Sequence, residues 1–407
     1  MRIFDKLSQQ VVIESAIFHD VHPSTSLASN STSIEFLIHG SLNEYLDLND
    51  TLLYIKCKAT KDDGTNLDAD TIPTNFTLNS LFSDVTLALN EVVIEGGSQL
   101  YAYKATIESI FNFNDDAKRI QLLPMGFSND KDERLKWVEK SKMCEFVGAL
   151  RLDFFNQAKY LIPSVNVRIT MTRSRYGFSF MGCVAPHKPL FEILDAVLFV
   201  RRVKVAPAVQ LGHQKGLLKR NAIYPYTRSQ TISYSISTGS LTFFKENLFG
   251  NALTPKFVVV AMVKSSAYTG DHLHDSFNFE HFNVKSIGLF RDGQSLPHRQ
   301  IYQPDFDAKL FTCDYVKAII HNTEHLNTNL NNGIDMADFA TGGYCFFTFN
   351  LTPDFDMTQV QVARDGNLRL DIRFAKGLAE AINVIIYATF DAEIQITNDR
   401  EIIIDAH

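Results

Sequence analysis

Apolar and polar residues alternate with a period of two along much of this chain. The clearest alternating runs are 34–38, 53–58, 167–171, 232–237 and 368–374. Such alternation is typical of antiparallel sheets that bury one face and leave the other in water. Two continuous apolar runs, 257–263 and 382–388, predict strands that are covered on both sides. The pattern therefore predicts a mainly β protein.

Helical spacing is confined to a few segments. Tyr103, Ile107 and Phe111 recur at i, i+4 and i+8, which predicts one amphipathic helix. A second helix is predicted from about Thr312, and a third over 209–220. The sequence thus predicts short helices between strands rather than a helical layer.

Landmarks of the first half recur in the second half about 200 residues later and in the same order. The matched pairs are Gly40 with Gly239, Phe82 with Phe282, Leu87 with Ile287, Leu89 with Leu289, Cys144 with Cys345, Asp153 with Asp354, and 166–169 with 367–370. This spacing is far longer than a solenoid repeat. The simplest interpretation is one domain used twice.

Two antiparallel sandwiches in tandem, with long inserted loops, are typical of the jelly-roll class. We predict an all-β fold of two tandem eight-stranded antiparallel jelly rolls, a double jelly roll, with a few short helices in inserted loops. Gly and Pro residues punctuate the chain near 181–189. The predicted division is an N-terminal arm over 1–32, a first jelly roll over 33–187 and a second over 188–407.

Composition narrows the class of protein. Hydrophobic residues make up 45% and charged residues 21%, as in soluble globular chains, and the formal net charge of −7 argues against a mainly nucleic-acid-binding protein. The chain has no run of 18 apolar residues, so we expect no transmembrane segment. Residues 1–10 lack the apolar core of a signal peptide. The five cysteines are far apart, which predicts buried thiols in a reducing compartment. We expect synthesis in the cytoplasm or nucleus and no secretion.

Three motifs have metal-site spacing, and each has a simpler interpretation. His321, Glu324 and His325 match the H-x-x-E-H zinc motif, but a solvated helix end also explains them. His272 and His274 could share a strand face, yet the segment is also typical of a polar loop. The acidic residues of the third motif fit an Asp/Gly-rich turn as well as a calcium loop, and they are Asp62, Asp63, Asp68 and Asp70. We predict no catalytic, cofactor-binding or metal-binding residue, no cofactor, and no enzyme activity.

One stretch is strongly basic. It holds six basic residues and no acidic one within twenty positions: Arg201, Arg202, Lys204, Lys215, Lys219 and Arg220. One interpretation is a positive surface for nucleic acid or an acidic partner. The other is a solvated helix and strand end whose charges pair with neighbouring subunits.

Several long strand-like stretches resemble a known family. They are 34–38 with 45–48, 195–205, 349–354, 366–370 and 382–391. Together they resemble the double jelly-roll major capsid proteins of Polinton and adintovirus-type elements, over nearly the whole chain from about Ile34 to Ile404. Residues 1–31 and 321–325 match nothing expected of that family.

The resemblance implies a major capsid protein that trimerises into pseudo-hexameric capsomers and assembles an icosahedral shell around a DNA genome. Its partners would be itself as a homotrimer, neighbouring capsomers, a penton or minor capsid protein, and DNA through non-specific contacts. The basic stretch would face the particle interior, and the protein would reside in the virion capsid. The alternative is a carbohydrate-binding or host-attachment β-sandwich. The single Trp137 lies in a charged segment, 129–142, predicted to be an exposed loop, and gives that alternative little support.

Overall fold

A computed structural model describes residues 10–27, 31–182, 188–250, 254–271, 273–323, 331–352 and 366–405. The strands of the first half are β1 Ile13–Val21, β2 Ser33–Ile38, β3 Glu44–Lys61, β4 Ile72–Pro73, β5 Phe82–Leu89, β6 Val92–Glu95, β7 Met143–Ala149, β8 Val167–Arg173, β9 Phe180–Met181 and β10 Pro189–Val205. Two four-stranded sheets, ordered β1-β10-β3-β7 and β2-β8-β5-β6, enclose one core, and β4 pairs with β9 beside them. Every ladder between these strands is antiparallel.

The second half repeats this order. Its strands are β11 Ala222–Ile236, β12 Thr242–Lys245, β13 Phe257–Lys264, β14 Val284–Arg291, β15 Gln294–Tyr302, β16 Phe346–Asn350, β17 Leu368–Phe374, β18 Ile382–Ile396 and β19 Ile402–Asp405. The sheets run β11-β18-β13-β16 and β12-β17-β14-β15, with β19 added on β18. Eight strands of one half therefore have counterparts at the same positions in the other. The prediction of two tandem eight-stranded jelly rolls is confirmed.

The α-helices are short and lie between strands. They are α1 Thr77–Ser80, α2 Tyr101–Asn112, α3 Asp115–Gln121, α4 Lys131–Val138, α5 Pro207–Leu217, α6 Ser265–Thr269, α7 Thr312–Tyr315 and α8 Met336–Ala340. Single 3-10 turns cover Leu123–Met125, Glu139–Ser141 and Asp153–Asn156, and a π-helical turn, Val316–His321, continues α7. The three helices predicted from spacing are all present.

The prediction of an exposed loop over 129–142 is wrong. Most of this segment is helix α4, because the Asp130 side chain caps the helix by accepting a hydrogen bond from the Asp132 amide at 2.9 Å. Trp137 packs edge-on against Phe146, with 6.1 Å between ring centroids. The tryptophan is thus partly buried and offers no flat exposed platform for a sugar.

The alternating runs form half-buried strands as expected. In β2, for example, Ile34, Phe36 and Ile38 are buried while the residues between them are partly exposed. The continuous run in β13 is buried on both sides, because helix α2 covers the outer face of its sheet. The Phe111 ring of α2 lies 6.0 Å from Phe257 on that face. Apolar runs without alternation therefore mark the sheet that a helix covers.

The duplication extends to individual hydrogen bonds. The Asn166 amide donates to Asn90 Oδ1 at 2.8 Å, and its counterpart Asn367 donates to Asp292 Oδ1 at 3.2 Å. Asn90 and Asp292 have φ of 44° and 50°, a left-handed conformation that Asn and Asp tolerate in tight hairpin turns. Each turn connects equivalent strands, β5 to β6 and β14 to β15. The equivalent turns therefore share a left-handed Asn or Asp at their first position, whose side chain accepts the same backbone hydrogen bond.

The predicted match of Gly40 with Gly239 is wrong. Gly40 lies between β2 and β3, whereas Gly239 lies between β11 and β12, so the two turns are not equivalent. The amide of Gly40 donates to Asn166 Oδ1 at 3.0 Å, and the amide of Asn247 donates to Asn367 Oδ1 at 2.9 Å. Asn247 is therefore the counterpart of Gly40. The match of Gly40 with Gly239 was a coincidence between two turns that both contain glycine.

The other matches differ in quality. Cys144 lies near the start of β7, and Cys345 directly precedes β16. The two cysteines therefore occupy equivalent positions. Leu87 pairs with Ile169, and Leu289 pairs with Leu370, which makes Leu289 the counterpart of Leu87. The predicted matches of Leu87 with Ile287 and of Leu89 with Leu289 are thus two residues out of register but on the correct face. Asp354 lies outside the described residues.

The strand pairing differs from the predicted division of the chain. Strand β10 pairs with β3 and β1, so it lies in the first sandwich although it begins after residue 188. Strand β1 falls within the predicted arm but pairs with β10 along its length. Pro189, one of the residues that suggested a boundary, begins β10 and so lies in a strand of the first sandwich. On this pairing we propose that the second jelly roll begins at β11.

Candidate assembly surfaces

Helix α2 joins the two jelly rolls. Tyr101 and Ala105 belong to the core of the first half, and Tyr103 and Ile107 belong to the core of the second. The Tyr103 ring packs edge-on against Phe178 of the first half and Phe277 of the second, with 5.7 and 5.5 Å between ring centroids. Because α2 is buried on nearly all sides, it fixes how the halves sit against each other.

Strand β11 is the second element of this junction. The Tyr224 hydroxyl donates to the carbonyl of Tyr160 and accepts from the amide of Ile162, both at 3.1 Å. The Phe154 ring packs edge-on against Tyr224 and Tyr226, at 5.9 and 5.5 Å between centroids. One face of an edge strand of the second jelly roll is therefore buried by the first.

A buried ionic cluster completes the junction. Lys104 Nζ lies 2.9 Å from Asp153 Oδ1, pairs with Glu95, and donates to the carbonyl of Arg151 at 2.8 Å. Asp153 in turn accepts from the Ser229 hydroxyl of β11 at 3.0 Å. Lys104 is 7% exposed, so water screens these charges weakly. The cluster links α2, the first jelly roll and β11.

Burial raises the pKa of Glu95 to about 8, and the negative charge of Asp153 adds to the effect. Burial also raises the pKa of Glu108, one helical turn from Lys104. Three carboxyl groups therefore share the site with the cations of Lys104 and Arg151. One bound proton on a carboxyl group neutralises the cluster.

We expect this proton to make the junction pH-dependent. The folded chain holds it more tightly than the unfolded chain, where Glu95 has its usual pKa of 4.5. Stability contributed by Glu95 is thus fully present below pH 4.5 and is lost as the pH rises to about 8, at up to about 1.4 kcal/mol per pH unit. Urea unfolding at several pH values should show this slope in the wild-type protein and a flatter slope in Glu95→Gln. Identical slopes would contradict the assignment.

Sequence reasoning did not identify this cluster. A signal was available, because Lys104 and Glu108 lie at i and i+4 on a helix whose other residues are almost all apolar or small. Charged residues on such a helix are rarely buried without partners. The partners Glu95 and Asp153 come from a strand end and a loop, and only the fold brings them to the helix.

A cleft of about 840 Å³ lies at the junction beside the cluster. Both halves line it, with Glu108 and Arg151 from the first and Lys256 and Asp391 from the second. Lys256 Nζ and Asp391 Oδ1 form an ion pair at 2.9 Å, and the Arg151 guanidinium lies 4.6 Å from the ring centroid of Phe113. Each of these contacts lies within one half of the chain and holds in place the charged side chains that line the cleft.

Strand β1 is open where its counterpart β11 is covered. Nearly every residue of β1 is exposed, including Ile17 at 58% and Phe18 at 52%, which point to opposite faces. In contrast, Tyr224 and Tyr226 of β11 are 2% and 9% exposed. An exposed apolar edge strand in a folded protein calls for a partner, since such edges otherwise aggregate.

The second half has a complementary open surface. Helix α7 and its π-helical turn follow β15 as α2 follows β6, so they are the counterpart of α2. Apolar side chains around them are exposed: Leu310 at 70%, Met336 at 39% and Val316 at 36%. Around α7, the described residues of the second half therefore leave exposed the surface that corresponds to the first half's side of the junction.

The six basic residues do not form one positive surface. Arg201 pairs with Asp47 at 3.1 Å and also with Asp50. Arg202 pairs with Glu44 at 3.3 Å, and Lys204 with Glu14 at 3.1 Å. The remaining three, on and after α5, are exposed and form no ion pair within the described part of the chain: Lys215, Lys219 and Arg220.

The metal-like motifs are only partly described. Glu324, His325 and His272 lie outside the described residues. His274 Nδ1 lies 2.5 Å from Asp271 Oδ2. In the acidic turn, Asp63 Oδ1 accepts from the amide and hydroxyl of Thr65. The described ranges contain no group of three His, Cys, Asp or Glu side chains arranged to hold a metal ion.

Among the described residues, no helix is long and apolar enough to cross a bilayer. No family model matches the sequence. An uncharacterized protein of Caenorhabditis elegans is 24% identical over 393 residues, which cover 91% of this chain and 93% of that protein.

Solved viral structures match over the whole chain. A chain of the Sputnik virophage has a TM-score of 0.67 at 11% identity and covers 100% of this chain and 91% of its own. The Faustovirus major capsid protein has a TM-score of 0.61 at 9% identity, covering 98% and 93%. The mavirus major capsid protein has a TM-score of 0.57 at 11% identity, covering 100% and 93%. The chain therefore has the fold of double jelly-roll viral capsid proteins.

Proposed function

We propose that this chain is a major capsid protein with no catalytic role, whose function is self-assembly. It would form homotrimers of pseudo-hexameric outline, which tile an icosahedral shell around a DNA genome. Whole-chain similarity of fold to viral capsid proteins supports this class of function. The Polinton and adintovirus type stays a prediction, as do a penton or minor capsid partner and synthesis in the cytoplasm or nucleus.

One observation supports assembly most strongly: β11 is covered within the chain, and its counterpart β1 is open. The same kind of contact can form between copies if β1 of one copy seats on the second jelly roll of the next. The surface around α7 corresponds to the surface around α2, which contacts the second jelly roll within the chain. Such a head-to-tail contact forms a closed ring when its rotation closes. Three copies then give six similar units in one ring.

The side chains available for this contact are apolar. Ile17 and Phe18 of β1, and Val11 and Val12 just before it, are 46% to 72% exposed. Opposite them would lie Leu310, Val316 and Met336 of the next copy. Large exposed apolar side chains grouped on one element support an interface there. Burying them between copies also removes the unpaired edge of β1 from solvent.

Electron microscopy of the purified protein tests the proposed function. We expect trimers with a hexagonal outline and, at high concentration or on expression in cells, closed shells of uniform size. Elongated or irregular aggregates as the only assembled species would contradict a capsid role. A protein that stays dispersed as single copies at every concentration would contradict it as well.

The proposed DNA contact involves only part of the basic stretch. Three of its cations are paired within the chain, so Lys215, Lys219 and Arg220 are the ones we propose to face the particle interior. Replacing all three by Ala should leave shells intact and lower the amount of nuclease-protected DNA, because phosphate contacts provide most non-specific affinity. A matched triple Ala variant at the exposed Lys131, Lys136 and Lys140 should leave the DNA content unchanged. Equal losses in both variants would place the DNA contact elsewhere.

A further inference from the structure

Two cysteines of the first jelly roll face each other across neighbouring strands. Cys57 of β3 and Cys144 of β7 are direct register partners, and their Sγ atoms are 3.5 Å apart. Directly opposed residues of an antiparallel pair have Cα atoms about 4.5 to 5.5 Å apart, which lies within the range of disulfides. A small approach of the two sulfur atoms would allow a bond between them.

The two thiols differ in their surroundings. Cys57 is fully buried in the core-facing row of β3, while Cys144 is partly exposed on β7, the outer strand of the sheet. The hydrogen bond between the thiols lowers the pKa of Cys144, and the nearby Lys142 lowers it further. The same hydrogen bond, together with burial, raises the pKa of Cys57. A reagent from solvent therefore reaches Cys144 first, and Cys144 is deprotonated to the reactive thiolate more easily than Cys57.

We propose that Cys57 and Cys144 are a redox pair that forms a reversible disulfide by exchange with a small-molecule disulfide such as oxidised glutathione. The Cys144 thiolate attacks one sulfur of the oxidant, and the leaving thiolate takes up a proton. Cys57 loses its proton and attacks the Cys144 sulfur, which releases the second small thiol. The two protein thiols are oxidised to one disulfide, and the oxidant is reduced to two thiols.

This pair is not a by-product of the duplication. Ala261 pairs with Phe346 in the second half, and continuing that register by one residue places Met262 opposite Cys345. Cys345 is 1% exposed, and burial raises its thiol pKa. The equivalent position therefore has one inaccessible thiol and no second one beside it. The inference rests on strand pairing and does not depend on the proposed function.

The bond would tie an edge strand to the sheet. It joins residues 87 positions apart, so it restricts the unfolded chain strongly, which is how disulfides stabilise a fold in the chain-entropy model. The reduced and oxidised proteins would then differ in resistance to unfolding. A protein made in a reducing compartment would gain this stability on reaching an oxidising one.

The test uses the full-length protein, reduced and then equilibrated with oxidised glutathione. After alkylation of free thiols and proteolysis, mass spectrometry should find the Cys57 and Cys144 peptides linked and two hydrogen atoms lighter than their sum. The thermal midpoint should rise by several degrees on oxidation and return on reduction. A disulfide to another cysteine, glutathione retained on Cys144, or both thiols alkylated would overturn the proposal.

Two variants separate the crosslink from folding effects. Cys144→Ser should lose both the linked peptides and the oxidation-dependent rise in midpoint, whereas Cys313→Ser, at an exposed cysteine, should keep both. Each variant is compared in its own reduced and oxidised forms, so a general loss of stability cancels. A rise of the same size in oxidised Cys144→Ser would also overturn the proposal.

Discussion

Phe18→Asp is expected to convert the proposed trimer into single copies. The Phe18 ring is 52% exposed in one copy, and the proposed contact buries it against the next. Removing a buried aromatic anchor and burying a carboxylate costs at least about 2 kcal/mol per contact, or about 30-fold in affinity. The proposed trimer would have three such contacts, so the losses would combine. Size-exclusion chromatography of the wild type and the variant, at equal concentration, measures the change.

Phe244→Asp is the matched control. Phe244 is also an exposed aromatic on an edge strand, β12, but it belongs to the other sheet of the second jelly roll. It should leave the trimer intact. Circular dichroism establishes that both variants keep their strands. If Phe18→Asp stayed trimeric, or if both variants dissociated equally, β1 would not be the contact surface.

Lys104→Ala is expected to cost about 3 to 5 kcal/mol of unfolding free energy, because it leaves buried carboxylates without their cation. Lys104 pairs with Glu95 and Asp153 and donates to the carbonyl of Arg151. The cluster lies where the two jelly rolls meet, so we also expect the halves to unfold in separate steps. Urea unfolding followed by fluorescence and by circular dichroism would show both effects.

Lys264→Ala is the control for this prediction. Lys264 Nζ lies 2.9 Å from Glu380, the same distance as in the Lys104–Asp153 pair, but the two side chains are 27% and 44% exposed. Exposed pairs contribute little, so the variant should lose less than about 1 kcal/mol. Comparable losses in the two lysine variants would mean that the buried cluster does not hold the junction.

The sequence predicted the strands that are buried by contacts within the chain. Strand β2 alternates because one face meets the core, and β13 does not because α2 covers its other face. Strand β1 was missed for a physical reason. Both of its faces are exposed in a single copy, so Ile17 and Phe18 on successive positions break the alternation that identifies a strand. A surface reserved for a partner lacks the pattern that burial within the chain produces.

The sequence also did not predict which side chains far apart along the chain contact each other. The basic stretch left two interpretations open, and the structure shows that Arg201, Arg202 and Lys204 pair with carboxylates about 150 or more residues earlier in the chain. Linear charge density does not show which charges a sheet brings together. The same limit applies to Cys57 and Cys144, which only strand register makes partners.

Light scattering coupled to size exclusion measures most directly whether the open β1 surface builds a ring of three. The account predicts a mass of 138 kDa, three times the 46.0 kDa of one chain, or larger closed assemblies. A constant mass of 46.0 kDa over a wide range of concentrations would contradict it.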